Sequence, residues 1–380
     1  MDHIYLDHAA TTRPDAASVE AMLPYLNGEY QNPSAIYQPA VKIRAKISSI
    51  RADIAGFLNT SPSSIFFTSG GTESDNWAVR GAAHIMRSKG RHIISTSIEH
   101  PAVLNTLKSL ESEGYEVTYL PVDKNGLVSV SDIEAAIKDD TILISVMHAN
   151  NEIGTIEPVE QIGRIANGRG ILFHVDAVQT FGHIPIDVEK LNVDLLSASS
   201  HKIYGPKGCG ILYVKNPSSF VKILYGGSQE NGMRPGTENV PAIIGFGEAV
   251  NIARTRINDD LAHDMKLRKL FMDKLTEEVP GVKFNGSKES VLPGILSVAF
   301  EGVTAETLLI ILDSNGICAS AGSACAAGAI EPSHVLMSCG MDKESASRTV
   351  RFSTGRENTE EDIIFTVKVI GDYFRGRSKS

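Results

Sequence analysis

The sequence predicts an α/β protein, with a large domain built on a mostly parallel sheet wrapped by helices and a smaller α+β domain beside it. Strand-like apolar runs alternate with amphipathic helical stretches between about residues 61 and 214. Each run ends at once in a polar or glycine-rich motif. Residues 240–279 then read as one long helix, a bridge to a region that mixes short strands with helices.

The runs, in order, are Ile65-Phe66-Phe67, His92-Ile93-Ile94-Ser95, residues 141–146, residues 171–175 and residues 194–198. In open α/β sheets ligands bind outside the carboxyl ends of the strands. Five polar motifs at five such ends therefore predict one shared pocket. Beyond the long helix, residues 295–300 read as a short strand of the smaller domain, and the tail after Gly376 is expected to fray. Internal repeats and low-complexity tracts are absent from the sequence.

With 380 residues the chain can bury a large core, and 42% hydrophobic with 21% charged residues is ordinary for a soluble enzyme. A net charge of −9 argues against general nucleic-acid binding. No apolar run is long enough to span a membrane, and the N-terminus lacks the basic-then-apolar pattern of an export signal. Four cysteines, Cys209, Cys318, Cys325 and Cys339, have no CxxC spacing. They predict a reduced, cytoplasmic protein with free thiols and no zinc site.

Lys202 closes the last of the five runs, in a turn dense with hydroxyls and glycines. Asp176 closes the preceding run in the same way, 26 positions upstream. A lysine and a carboxylate at neighbouring strand ends are what pyridoxal phosphate needs, an imine nitrogen and an anion for the pyridinium. At ~4 Å and an effective dielectric of about 20, that anion contributes roughly 4 kcal/mol before desolvation. Alone, such a pair is more often a surface lysine beside a capping aspartate, so the other motifs decide.

Thr68-Ser69-Gly70-Gly71-Thr72-Glu73-Ser74 joins a strand to a helix, where Gly71 and Thr72 could cradle a phosphate at the positive helix end or simply cap it. The dinucleotide pattern GxGxxG is missing there. His100, in Glu99-His100-Pro101, could stack on a cofactor ring and move a proton, or be structural. Asn151 offers an amide to a phenolic oxygen, and Gln179 follows Asp176 by about one helical turn. Residues 232–239 read as a second phosphate loop or a plain surface turn. Arg351 or Arg356 could clamp a carboxylate with a bidentate fork. Residues 320–328 are all small apart from Cys325, which is a candidate nucleophile on a loop unless the stretch is a packed helix. Cys209, Cys318 and Cys339 read as buried or incidental.

Together these motifs resemble the cysteine desulfurases of the NifS/IscS type, in the class V aminotransferase group of pyridoxal-phosphate enzymes. The resemblance runs from Ile4-Tyr5-Leu6-Asp7-His8-Ala9-Ala10-Thr11-Thr12 through residues 65–76 to Arg351 and beyond, nearly the whole chain. It implies the aspartate-aminotransferase-type fold (PLP fold type I), with a large domain of residues 15–256 and a small one of residues 1–14 and 257–380. It implies Lys202 as the Schiff-base lysine, Asp176 as the pyridinium partner and His100 as the stacking acid–base residue. Gly71, Thr72, Ser199 and His201 become phosphate-side contacts, Asn151 and Gln179 lie near the ring oxygen, and Thr237 reaches the phosphate of the other subunit in a homodimer. Arg351, with Asn151, would hold the L-cysteine substrate, and Cys325 would accept its sulfur as a persulfide.

The implied reaction converts L-cysteine to L-alanine for iron–sulfur cluster assembly or other sulfur transfer. An iron–sulfur scaffold or other acceptor protein is the implied partner, and Cys325 could serve transiently as an iron ligand shared with it. Other readings on the same scaffold are a selenocysteine lyase or a class V aminotransferase, and outside catalysis a sulfur-relay or scaffold-binding protein. The chain departs from the family where the usual Gly-Asn-Pro-Ser-Ser reads Gln31-Asn32-Pro33-Ser34-Ala35, with Tyr37 in place of a frequent histidine, and at Met337-Ser338-Cys339.

Overall fold

The computed structural model describes residues 3–321 and 332–377. Its centre is a seven-stranded sheet in the order Ile65–Thr68, Gly210–Val214, Leu195–Ser199, Leu172–Asp176, Thr141–Met147, His92–Thr96 and Glu116–Leu120. Only Gly210–Val214 runs against its neighbours, so six strands end on the same edge. The α/β fold expected from the sequence is the one observed. Thr141–Met147 and Leu195–Ser199 are buried along their whole length because helices cover both faces of the sheet. Their sequences accordingly read as mostly apolar runs, interrupted only by serine and threonine, rather than alternating ones.

A 39-residue helix, Val240–Glu278, extends for about 58 Å. Its first turns bury Ile243, Ile244, Phe246 and Val250 in the core beneath the sheet. Farther along, Leu267, Phe271 and Leu275 join a separate buried cluster. That second cluster covers an antiparallel three-stranded sheet in the order Thr349–Ser353, Ile295–Phe300, Val282–Asn285. It also includes Leu6, because the N-terminal strand Ile4–Tyr5 pairs in parallel with Ile317–Cys318. The chain then crosses from there to the edge where the central strands end. Among the described residues no helix is long and apolar enough to cross a membrane.

Candidate active site

The loops that follow the central strands enclose a cavity of about 390 Å³. Strand Leu195–Ser199 passes directly into a single tight turn, Ser200–Lys202, which delivers Lys202 to the cavity. The neighbouring strand delivers Asp176, which pairs across the sheet with Ser197. Lys202 Nζ donates to the carbonyls of Ala9 at 2.5 Å and Ala10 at 2.9 Å. Burial lowers its pKa to about 8, helped by the Arg351 charge and opposed by Asp176 and Asp7. Burial outweighs the two carboxylates, so this lysine gives up its proton more readily than a surface one.

Asp176 is buried, and its Oδ1 accepts from the Val178 amide at 2.9 Å. Burial raises its pKa, while His100 and Lys202 pull the other way. Behind it lies Asp75, fully buried, with Oδ1 unpaired and 3.6 Å from His174 Nε2. Burial first, and then the charge of Asp176, hold Asp75 well above the usual carboxylate range.

The helix Gly71–Met86 opens onto the same cavity. A Cβ on Gly71 would fall 2.7 Å from Val178 Cγ2, so the helix start can lie this close to the Asp176 loop only as glycine. Glu73 secures the turn, accepting from the Ser69 amide at 2.8 Å and from both arms of Arg234 at 2.7 and 2.9 Å. The Ser199 hydroxyl is buried without a partner. His201 Nδ1 meets Thr11 Oγ1 at 3.1 Å, and burial holds the ring at about 4, hence neutral. Free helix-start amides, Thr72 and an orphaned hydroxyl form a cradle for an anion.

On the other side, Arg351 is buried in strand Thr349–Ser353. Its Nη2 donates to Asp7 Oδ1 at 2.7 Å and its Nη1 to the Asn151 carbonyl at 3.0 Å, while Nε is buried and unpaired. Gln179 Nε2 donates to the Ala9 carbonyl at 3.0 Å. His100 stands at the start of helix Pro101–Ser112 with its pKa lowered, first by burial.

Of the residues singled out from the sequence, Gly71, Thr72, His100, Asn151, Asp176, Gln179, Ser199, His201, Lys202 and Arg351 line this one cavity. Thr237 is exposed and lines none of it. Arg356 is taken up elsewhere, bonded to Asp260 at 2.7 Å and stacked 4.1 Å from the Tyr204 ring centroid. Residues 232–239 also stay outside, held to the first turn through Arg234. Cys325 lies outside the described residues, as does most of its small-residue stretch. Ser320, at the near end of that stretch, lines the cavity and exchanges two backbone hydrogen bonds with Arg351. Burial pushes the Cys209 and Cys339 thiols up to about 12 and raises Cys318, so none is a ready nucleophile.

Three titratable cavity residues went unassigned in the sequence: Asp75, Glu152 and His334. Asp75 follows Gly71 by four positions and so shares its helix face, a signal that was available. Glu152 and His334 have no such local signal.

The class-V aminotransferase family profile matches residues 4–364. A protein of Clostridium botulinum (strain Hall), "Cysteine desulfurase IscS", is 46% identical over 376 residues, 98% of this chain and 95% of that protein. Its namesake from Methanosarcina thermophila is 48% identical over 367 residues, 97% and 91% of the two chains. Among solved structures, a "NifS-like protein" superposes with a TM-score of 0.92 at 38% identity, covering 98% of this chain and all of that one. Another, "SspA in complex with cysteine", gives a TM-score of 0.84, also at 38% identity, over 94% and 100% of the two chains. With a family match over nearly its whole length and relatives of this identity, the chain belongs to the class-V aminotransferases, among the cysteine desulfurases.

Proposed function

We propose that this chain is a pyridoxal-phosphate-dependent cysteine desulfurase that converts L-cysteine to L-alanine and passes the sulfur to its own Cys325. The observation that carries the reading is Lys202, a buried lysine with a lowered pKa in one cavity with the buried carboxylate Asp176. The residues present fit the cofactor. Ser199 Oγ is an orphaned buried donor beside a helix start kept open by Gly71, which suits a phosphate. Thr72 and His201 would complete that contact, and Asp176 would meet the pyridinium. His100 would cover the ring, Asn151 and Gln179 its oxygen. When bound, the cofactor supplies an electron sink that stabilises negative charge next to the substrate nitrogen.

The chain's own groups do the rest. With a pKa of about 8, about a tenth of Lys202 is a free amine at pH 7. Arg351 orients the substrate carboxylate through a fork already fixed by Asp7 and Asn151, so little rotamer freedom is lost on binding. His100 exchanges protons within the cavity.

The protein acts as a cytoplasmic homodimer with Thr237 serving the partner's phosphate, a role supported by its exposure and its absence from its own cavity. Residues 15–256 form the large domain, and residues 1–14 with 257–380 the small one. The two separate buried clusters support this partition. Cys325 hands its persulfide sulfur to an acceptor such as an iron–sulfur scaffold and is a transient ligand there.

Cofactor-loaded protein given L-cysteine and a reductant should release alanine and sulfide in equal amounts without any keto acid. Dependence on pyruvate or glutamate would instead identify an aminotransferase, and a strong preference for selenocysteine a lyase.

A further inference from the structure

A third histidine, His334, lines the cavity beside His100 and His201, from the start of helix His334–Ser338, and has no part in the roles described above. The His100 and His334 rings are held by different nitrogens. The Ala102 amide donates to His100 Nδ1 at 3.1 Å, so a neutral His100 carries its proton on Nε2, the unengaged edge. His334 Nε2 lies 3.0 Å from the Glu99 carbonyl, which can only accept, so His334 also carries its proton on Nε2. Its unengaged edge is therefore the Nδ1 lone pair, which bonds to none of the described residues. One histidine offers the cavity a donor, the other an acceptor.

We propose that His334 is a second catalytic acid–base residue, whose Nδ1 accepts the thiol proton released during desulfuration while His100 Nε2–H supplies the proton for the new C–H bond. This rests on the cysteine desulfurase reading. In that reaction the carbon–sulfur bond breaks with its electron pair kept by carbon, and sulfur bonds to the acceptor thiol. One S–H proton is lost and one C–H bond forms, so a base and an acid are both needed and the proton count closes between the two rings. A thiol of ordinary pKa, about 8.5, is mostly protonated at neutral pH and needs such a base.

The surroundings suit this exchange. Glu152 takes a hydrogen bond from the Ser333 hydroxyl, and burial raises its pKa while Ser333, His334 and Arg351 pull the other way. Glu99 meets the ring through its backbone carbonyl, while its side-chain Oε1 accepts from Thr96 and Met147 and its Oε2 is buried and unpaired. Burial is the main cause of the lowered His100 pKa, with Asp176 opposing it and Lys202 and His334 adding to it.

The alternative role is a tether, with Nε2–H merely holding the helix start to Glu99. His334→Gln separates the two, because its amide N–H can replace the Nε2–H donor while leaving no base. His334→Ala removes both. Both variants should bind cofactor with the parent absorbance yet lose about 100-fold or more in kcat/KM. Their acid limb in the pH profile should flatten, and added imidazole should partly rescue His334→Ala. In the cofactor-free parent, ¹⁵N NMR should show His334 as the Nε2–H tautomer. Parent-like kcat/KM and pH profile in His334→Gln, or an Nδ1–H tautomer, would overturn the proposal. A parent protein that makes no alanine from L-cysteine would overturn the underlying reading and this proposal with it.

Discussion

Arg351 Nη2 donates to Asp7 Oδ1 at 2.7 Å, joining a strand of the small sheet to the N-terminal segment that also caps Lys202. The guanidinium is buried and the carboxylate partly exposed. Asp7→Ala leaves a buried cation short of its anion, and should cost on the order of 1–3 kcal/mol in urea unfolding. Asp7→Asn, which keeps an acceptor, should cost less. An Asp7→Ala protein as stable as the parent would deny the pair its structural role.

Arg351→Lys keeps the charge but loses the planar fork. If Arg351 holds the substrate carboxylate, this change should weaken L-cysteine by roughly 1.5–3 kcal/mol, about a 10- to 100-fold rise in KM. Cofactor content should not change. An unaltered KM would assign the carboxylate to another group.

The cofactor-loaded protein should be yellow, and borohydride should fix the cofactor to Lys202. Peptide mass spectrometry reads this directly, and Lys202→Ala should retain no covalent cofactor after reduction. An adduct on a different lysine, such as Lys207 in the same loop, would sink the assignment.

Much of this site was legible because buried parallel strands leave mostly apolar runs, and each run points at the polar residues that follow it. Asp176 and Lys202 stand where those runs stop. The strand Glu116–Leu120 was harder to read, being an edge strand with its first residue exposed. The reversed direction of Gly210–Val214 depends on two neighbours distant in sequence and leaves no local mark. The same holds for the bond from Lys202 to Ala9, which spans 193 positions, and for His334, whose chemistry lies in a carbonyl 235 positions away. Arg351 and Arg356 were equivalent in sequence, and only Asp260 and Tyr204 separate them.

Burial raises the Asp264 pKa to about 7, with Asp260 adding to the shift and Thr354 and Arg356 opposing it. The folded protein thus keeps a proton that the unfolded chain releases near 3.8. Stability from this group is present below about pH 4 and is lost as pH rises through about 7. Asp264→Asn should remove that decline, giving a protein whose stability relative to the parent improves between pH 4 and 8 by on the order of 3 kcal/mol. Denaturant unfolding across that range checks it, and parallel pH profiles for the two proteins would refute it.

Transfer of sulfur onto Cys325 is the centre of this account, and mass spectrometry after a single turnover tests it. One added sulfur should appear on the Cys325 peptide, matched by one alanine per active site. Cys325→Ser should bind cofactor and L-cysteine normally yet form neither product, because the carbon–sulfur bond has no acceptor to break against. Sulfur found on Cys209, Cys318 or Cys339 instead, or a Cys325→Ser protein releasing alanine at close to the parent rate, would contradict the account.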